Sequence, residues 1–205
     1  VLSLGRGFSA PVIFDYAYSL QELQFLALND SDGFNRADAF ERLMLAVLND
    51  VADMIENGVE PDVHGTLISA FEGILTNTNL SPEYRATVLE LPSEKAIAAR
   101  RAMINPQTIR AARVFVMETI GRRLSHKLGT PLRTENMRNM TLEYKFDAKE
   151  AGKRALSNLT LEYWLAGGNA KALLDARDQF ESADNLTDRL AALRMIVNSQ
   201  SPAKI

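Results

Sequence analysis

From Ser19 onward the apolar residues of this chain recur at spacings of three and four, the signature of helices that bury one face. The clearest run spans Phe34 to Asn57. Its positions Phe40, Leu43, Met44, Val47, Leu48, Val51, Met54 and Ile55 share one side of a helix, which Gly58 closes with a left-handed cap. Upstream, Ser19 and Glu22 form a capping box ahead of Leu23 and Leu26. Beyond Pro61, a third helix carries Leu67, Ala70, Phe71, Ile74 and Leu75. Ser81-Pro82 and Asn105-Pro106 each place a cap before a proline at the first helical position, and Pro92-Ser93 marks a break and restart between them. The helix after Pro106 uses Ile109, Ala112, Val116, Ile120 and Leu124 and ends before Gly129. Thr130 to Phe146 is the longest irregular stretch. Asp147 and Glu150 cap a helix that runs to Leu165 and stops at Gly167-Gly168. Two more follow, over Ala170 to Ser182 and Leu186 to Val197, the second capped by Asn185.

Roughly seven to nine helices with short loops and no central strand predict an all-α fold, an α-solenoid-like stack of antiparallel helices. No fixed-period repeat motif names an ankyrin or tetratricopeptide array. Only the opening differs. Phe8 to Phe14 is short, apolar and interrupted by Pro11, which reads as one extended edge strand. A lone strand needs ladder partners, so its sheet is expected in a neighbouring domain. The expected organisation is a terminal strand and linker over residues 1–17, then a helical domain over 18–205, truncated at its C-terminal end. A chain that opens on Val1 rather than Met also reads as an excised segment.

Composition adds mainly exclusions. With 46% hydrophobic and 24% charged residues the chain is globular rather than disordered. No stretch approaches the roughly 20 consecutive apolar residues of a membrane-spanning helix. Val1 to Gly7 has neither the basic stretch nor the apolar run of a secretory signal. The 205 residues contain no cysteine, which excludes disulfides, thiolate catalysis and cysteine zinc sites here and fits a reducing, cytoplasmic setting. Four Asn-x-Ser/Thr sequons, at Asn79, Asn139, Asn158 and Asn185, fall in or beside helices and are read as structural rather than glycosylated.

The net charge of −3 conceals an asymmetry. Residues 1–94 carry 15 acidic and 4 basic side chains. Residues 95–133 carry 9 basic side chains (Lys95, Arg100, Arg101, Arg110, Arg113, Arg122, Arg123, Lys127 and Arg133) against Glu118 alone. Nucleic-acid binding would suit such a stripe. However, Phe115 is its sole aromatic, Ile109, Ala112 and Val116 claim a buried face, and the pI is near 5.5. The favoured reading is that these cations pair with the chain's own acidic first half or with another domain, with no nucleic acid and no membrane as partner.

Candidate chemistry is sparse. The two histidines, His64 and His126, stand near helix ends and have no second His at metal-ligand spacing, and His64 is followed by Gly65 rather than the Glu of HExxH. Gly167-Gly168 follows a helix rather than a strand and belongs to no phosphate-binding motif. The carboxylate pairs Asp30/Asp32 and Asp50/Asp53 read as helix-surface residues rather than as an acid–base couple.

Five strings nevertheless resemble one family in order from end to end. They are Arg6-Gly7-Phe8-Ser9-Ala10-Pro11-Val12, Asp30-Ser31-Asp32-Gly33-Phe34-Asn35-Arg36, Leu89-Glu90-Leu91-Pro92-Ser93-Glu94, Lys153-Arg154-Ala155-Leu156-Ser157-Asn158, and Ala183 to Leu193. Together they resemble the bacterial-type zinc aminopeptidase N, a gluzincin metallopeptidase, over the front part of its helical C-terminal domain. Ala37 stands where that family has Trp, and Thr130 to Asp147 matches little of it. The resemblance implies that HExxH, its downstream Glu and the GxMEN loop lie upstream of Val1, and that the arginines at the substrate's far end lie beyond Ile205. No catalytic, cofactor-binding or metal-ligand role therefore passes to any position here. The implied role is a non-catalytic segment that walls and closes the substrate chamber of a zinc enzyme removing N-terminal amino acids. Its implied partners are the catalytic and β-sandwich domains of the same polypeptide, and peptide substrates. The alternative is a stand-alone helical scaffold that binds a protein partner.

Overall fold

The computed structural model describes residues 1–8, 12, 14–129 and 147–199. Among these it is all-α, with helices α1 (Leu20–Asn29), α2 (Gly33–Glu56), α3 (Gly65–Thr76), α4 (Pro82–Val88), α5 (Glu94–Ala98), α6 (Pro106–Arg123), α7 (Ser125–Leu128), α8 (Ala148–Ala166), α9 (Ala170–Ser182) and α10 (Leu186–Asn198). The strand expected over Phe8 to Phe14 falls on residues 9–11 and 13, outside the described residues. Phe8 itself closes a 3₁₀ turn, Arg6–Phe8, whose Gly7 has φ +73°. The irregular stretch expected from Thr130 to Phe146 is likewise outside them.

The caps follow the sequence pattern closely. Ser19 accepts from the Glu22 amide while Glu22 reaches back to the Ser19 amide, a reciprocal box at the start of α1. Asp32 accepts from the Phe34 and Asn35 amides to open α2. Ser93 opens α5, Asp147 opens α8, Asn169 opens α9 and Asn185 opens α10, each through its side-chain oxygen. Gly58 and Gly168 take φ of +67° and +82° after α2 and α8. One boundary differs from the periodicity: the helix after Pro106 breaks at Leu124, whose ψ of 15° ends α6 and sets off the single turn α7.

The chain divides into two compact units. The first comprises Val1–Asn77 and Val88–Val116. Its core is the predicted apolar face of α2 (Phe40, Leu43, Met44, Val47, Leu48 and Val51), packed with Leu23 and Leu26 of α1 and with Leu67, Phe71, Ile74 and Leu75 of α3. Phe40 and Phe71 meet at a centroid distance of 6.3 Å. Burying each such side chain contributes about 1.5–3 kcal/mol, which is what holds helices this short in place.

The second unit comprises Thr78–Thr87 and Met117–Ile205. Its core gathers Ile120, Leu124, Leu128, Leu156, Leu161, Tyr163, Trp164, Leu173 and Ile196. Two glycine contacts bring its backbones together. Gly121 of α6 and Gly167 at the end of α8 touch so closely that a Cβ on Gly121 would lie 2.6 Å from the Gly167 amide nitrogen. A Cβ on Gly152 of α8 would lie 2.9 Å from the Glu83 amide nitrogen in α4. Trp164 closes the core edge, its indole N–H donating to Ser125 Oγ at 3.0 Å.

Candidate functional site

The sequence offered several places where chemistry could lie besides the helix stop at Gly167-Gly168, and the structure gives them a local geometry. His64 caps α3, its Nδ1 accepting from the Thr66 amide at 3.2 Å. His126 sits in the single turn of α7 in the other unit. Among the described residues no three His, Asp or Glu side chains converge as metal ligands would.

Asp30 and Asp32 are helix-corner residues rather than an acid–base pair. The Asp30 side chain is only 1% exposed. It accepts from Ser3 Oγ at 2.5 Å and from the Asp32 amide at 2.9 Å, with the Arg6 guanidinium 3.5 Å away. Burial works to raise its carboxyl, but the bonds from Ser3 and Asp32 and the charges of Arg6 and Arg36 outweigh it and hold the group below its ordinary range. Asn35 completes the clamp by donating to Ser3 Oγ and to the Leu4 carbonyl, while Arg36 donates twice to the Asp30 carbonyl. The opening segment is thus fastened to the corner between α1 and α2.

Asp50 and Asp53 stand on α2. The Asp50 carboxyl is pushed up by desolvation and by Asp53, with His64 opposing. Asp50 is nevertheless exposed, so this is a crowded surface carboxylate and not a shielded general acid. Asp53 belongs with Glu56 to an ion-pair triad around Arg101, whose side chain is 8% exposed and whose guanidinium lies 2.8 Å and 2.7 Å from the two carboxylates.

That triad gives the basic segment its clearest link to the acidic first half. Arg110 lies 3.9 Å from Glu94 with both side chains exposed. Arg113 instead donates to the Pro92 carbonyl at 3.1 Å, and Arg122 pairs within its own helix with Glu118 and Thr119. The expectation of pairing with the acidic first half thus holds at Arg101 and, at longer range, at Arg110, while Arg113 bonds to a backbone carbonyl and Arg122 within its own helix. Arg133 lies outside the described residues.

Three of the strings behind the resemblance cap or open helices, and a fourth bonds across them. Asp30 to Arg36 builds the clamp just described. Pro92, Ser93 and Glu94 restart the chain at α5. Asn158, a sequon residue, donates to Asp188 at 2.9 Å and accepts from Gln179 at 2.8 Å, and Gln179 also donates to the Asp188 carbonyl. Asn185 caps Asp188. Both polar atoms of the Asn158 amide are therefore committed within the fold. Sequence reasoning placed Asn158 inside a helix and Asn185 at a helix start, and missed that Asn158 bonds across helices, because its partners are far away along the chain.

Comparison with known proteins gives the chain a family. Residues 20–204 match a family described as a domain of unknown function, DUF3458_C, with ARM repeats. The chain is 30% identical over 197 residues to aminopeptidase N of Escherichia coli K12, covering 96% of the chain and 22% of that protein. It is also 30% identical over 200 residues to aminopeptidase N of Caulobacter vibrioides, again covering 96% of the chain and 22% of the relative. Among solved structures, Legionella pneumophila aminopeptidase A in complex with aspartic acid superposes with a TM-score of 0.78 at 26% identity, covering 95% of this chain and 23% of that one. The chain thus spans about a fifth of the length of the relatives it matches. It belongs to the DUF3458_C family of ARM-repeat domains, the helical C-terminal domain of aminopeptidase N.

Proposed function

We propose that this chain is a non-catalytic helical segment of a zinc-dependent aminopeptidase, and that it walls and closes the chamber in which N-terminal residues are removed from peptides. The observation that carries the reading is the family match over residues 20–204 in relatives that are aminopeptidases several times longer. The geometry supports a structural contribution, because Asp32, His64 and Asn185 cap helices, Asp30 fastens a helix corner and Asn158 bonds across helices. The described residues present no ligand set that a zinc ion fits. The zinc and the residues that act on the peptide bond belong, on this reading, to other domains of the same polypeptide.

In that setting residues 1–17 complete a neighbouring β-sandwich domain and residues 18–205 form the front of the helical domain. The bonds from Ser3, Leu4 and Arg6 into the corner between α1 and α2 support this, since they make the entry to the helices a fixed joint rather than a loose linker. The absence of cysteine fits a reducing compartment, and no described helix is long and apolar enough to cross a membrane. The test is peptide cleavage by the full-length polypeptide that carries this sequence. Free N-terminal peptides should be trimmed one residue at a time and N-acetylated ones left intact. A full-length protein that cleaves neither would refute the reading and favour a helical scaffold that binds a protein partner.

A further inference from the structure

Helix α3 opens on an imidazole. His64 takes the N-cap position, and its Nδ1 accepts from the Thr66 amide at 3.2 Å. Ser19, Asp32, Ser93, Asp147, Asn169 and Asn185 cap their helices with a hydroxyl, a carboxylate or an amide oxygen. Oxygens of this kind accept a hydrogen bond throughout the neutral range. An imidazole nitrogen accepts only while the ring is neutral; once it is protonated, both ring nitrogens donate. A protonated His64 would set its own N–H against that of Thr66, and a positive charge against the positive end of the helix dipole. The residue is exposed, and the body of α3 is held separately by its buried Leu67, Phe71, Ile74 and Leu75. A change at the cap therefore stays in the first turn.

We propose that His64 is a pH-dependent catch on the start of α3: neutral, it caps the helix; protonated, it leaves the Thr66 amide and turns to the Asp50 carboxylate on α2. The charges around it favour that second position. The Asp50 carboxyl is raised by burial and by Asp53, and the charge of His64 opposes both, so an imidazolium there relieves a crowded pair of carboxylates. Asp53 is itself engaged by Arg101, and Arg101 is divided among Asp53, Glu56 and the Asn49 carbonyl. The basic residues within α2, Arg36 and Arg42, stand more than two turns before Asp50. Helix α1, which also packs on α3, carries one titratable side chain, Glu22, held by Ser19 and Tyr16. The segment leading into His64 adds Glu60 and Asp62, and α3 itself adds Glu72. Falling pH thus removes the cap and supplies a carboxylate partner for the same ring, two local effects that act in one direction.

Amide hydrogen exchange in the full-length polypeptide, read by mass spectrometry, tests this. The first turn of α3 is followed at about pH 5 and about pH 8, the range over which histidines change charge, with rates corrected for the intrinsic pH dependence of exchange. The first turn of α1 is the internal reference, because its cap is a serine hydroxyl and the bonds from Ser19 hold the Glu22 carboxyl below its ordinary range. In the parent protein the corrected exchange of the α3 turn should be about fivefold faster at the lower pH, the effect of losing one cap, while the α1 turn is unchanged. His64→Asn, whose amide oxygen caps at either pH, should be slow at both, and His64→Ala fast at both. Asp50→Asn removes the second position and should shrink the contrast. A parent protein without contrast, a contrast that persists in His64→Asn, or a slow His64→Ala would overturn the catch. An undiminished contrast in Asp50→Asn would overturn Asp50 as the place to which the ring turns.

Discussion

Replacing Gly121 by alanine should destabilise the protein even though alanine is the better helix former. Gly121 lies inside α6, where the exchange would ordinarily contribute about 0.8–1 kcal/mol of stability through helix propensity. The added Cβ, however, would sit 2.6 Å from the Gly167 amide nitrogen and 2.8 Å from the Gly167 Cα, and against the Tyr163 carbonyl oxygen. Ordinary contact begins at 3.4 Å, so the crossing must open by more than an ångström at the Tyr163 carbonyl. The obstacle is backbone at the end of α8, which cannot rotate away as a side chain can. Opening it loosens the packing around Leu124 and Trp164, and overpacking of this kind costs about 1–3 kcal/mol, occasionally more. The net expectation, with the propensity gain set against an overpacking cost at the upper end because the obstacle is backbone, is a loss of about 2 kcal/mol.

Urea unfolding followed by the fluorescence of Trp164, the chain's one tryptophan and a member of the same unit, reads this directly as a lower midpoint. Gly73→Ala is the matched control. There the Cβ meets the end of the half-buried Leu28 side chain, which can shift, so the exchange should be neutral or mildly stabilising. A midpoint for Gly121→Ala at or above that of the parent protein would refute the tight crossing of α6 and α8.

Three further outcomes are expected. Asp30→Asn should cost about 1.5–3 kcal/mol at pH 7, the worth of hydrogen bonds to a charged group. The Asp30 carboxyl is lowered in the folded state, so its contribution is present above the unfolded value near 3.9 and is lost as pH falls through the folded one; the gap between variant and parent should therefore close below about pH 4, measured by urea unfolding at pH 7 and pH 3. Arg101→Met should be close to neutral in thermal unfolding while Arg101→Ala loses about 1 kcal/mol or more, because the buried stem packs and the Asp53 and Glu56 carboxylates can be rehydrated. Asn158→Ala should lower stability by about 1–2 kcal/mol through the stranded Gln179 and Asp188 groups, and an Asn158 that carries glycan on a folded, secreted version of the chain would contradict the bonding seen here.

The fold was legible because its signals are local. Capping pairs such as Ser19/Glu22 and Asp147/Glu150, and the three-and-four spacing from Phe40 to Val51, depend on residues within one or two turns, and each is found where the pattern places it. What escaped the sequence depends on distant partners. Gly167 reads as part of a helix stop, but its tight contact is with Gly121, which only tertiary packing brings near. The charge asymmetry was visible, yet nothing local marks Arg101 rather than Arg100 as the residue that meets Asp53 and Glu56. Asp30 and Asp32 look alike in sequence, and only the return of Ser3 and Arg6 to the corner between α1 and α2 makes one a buried hub and the other a simple cap.

Metal analysis of the purified full-length polypeptide, alongside the 205-residue chain, tests most directly the claim that this segment belongs to a zinc enzyme without holding its metal. About one tightly bound zinc per full-length polypeptide, and none above background in the 205-residue chain, is the predicted result. Stoichiometric zinc in the short chain, or a full-length protein that holds none, would contradict it.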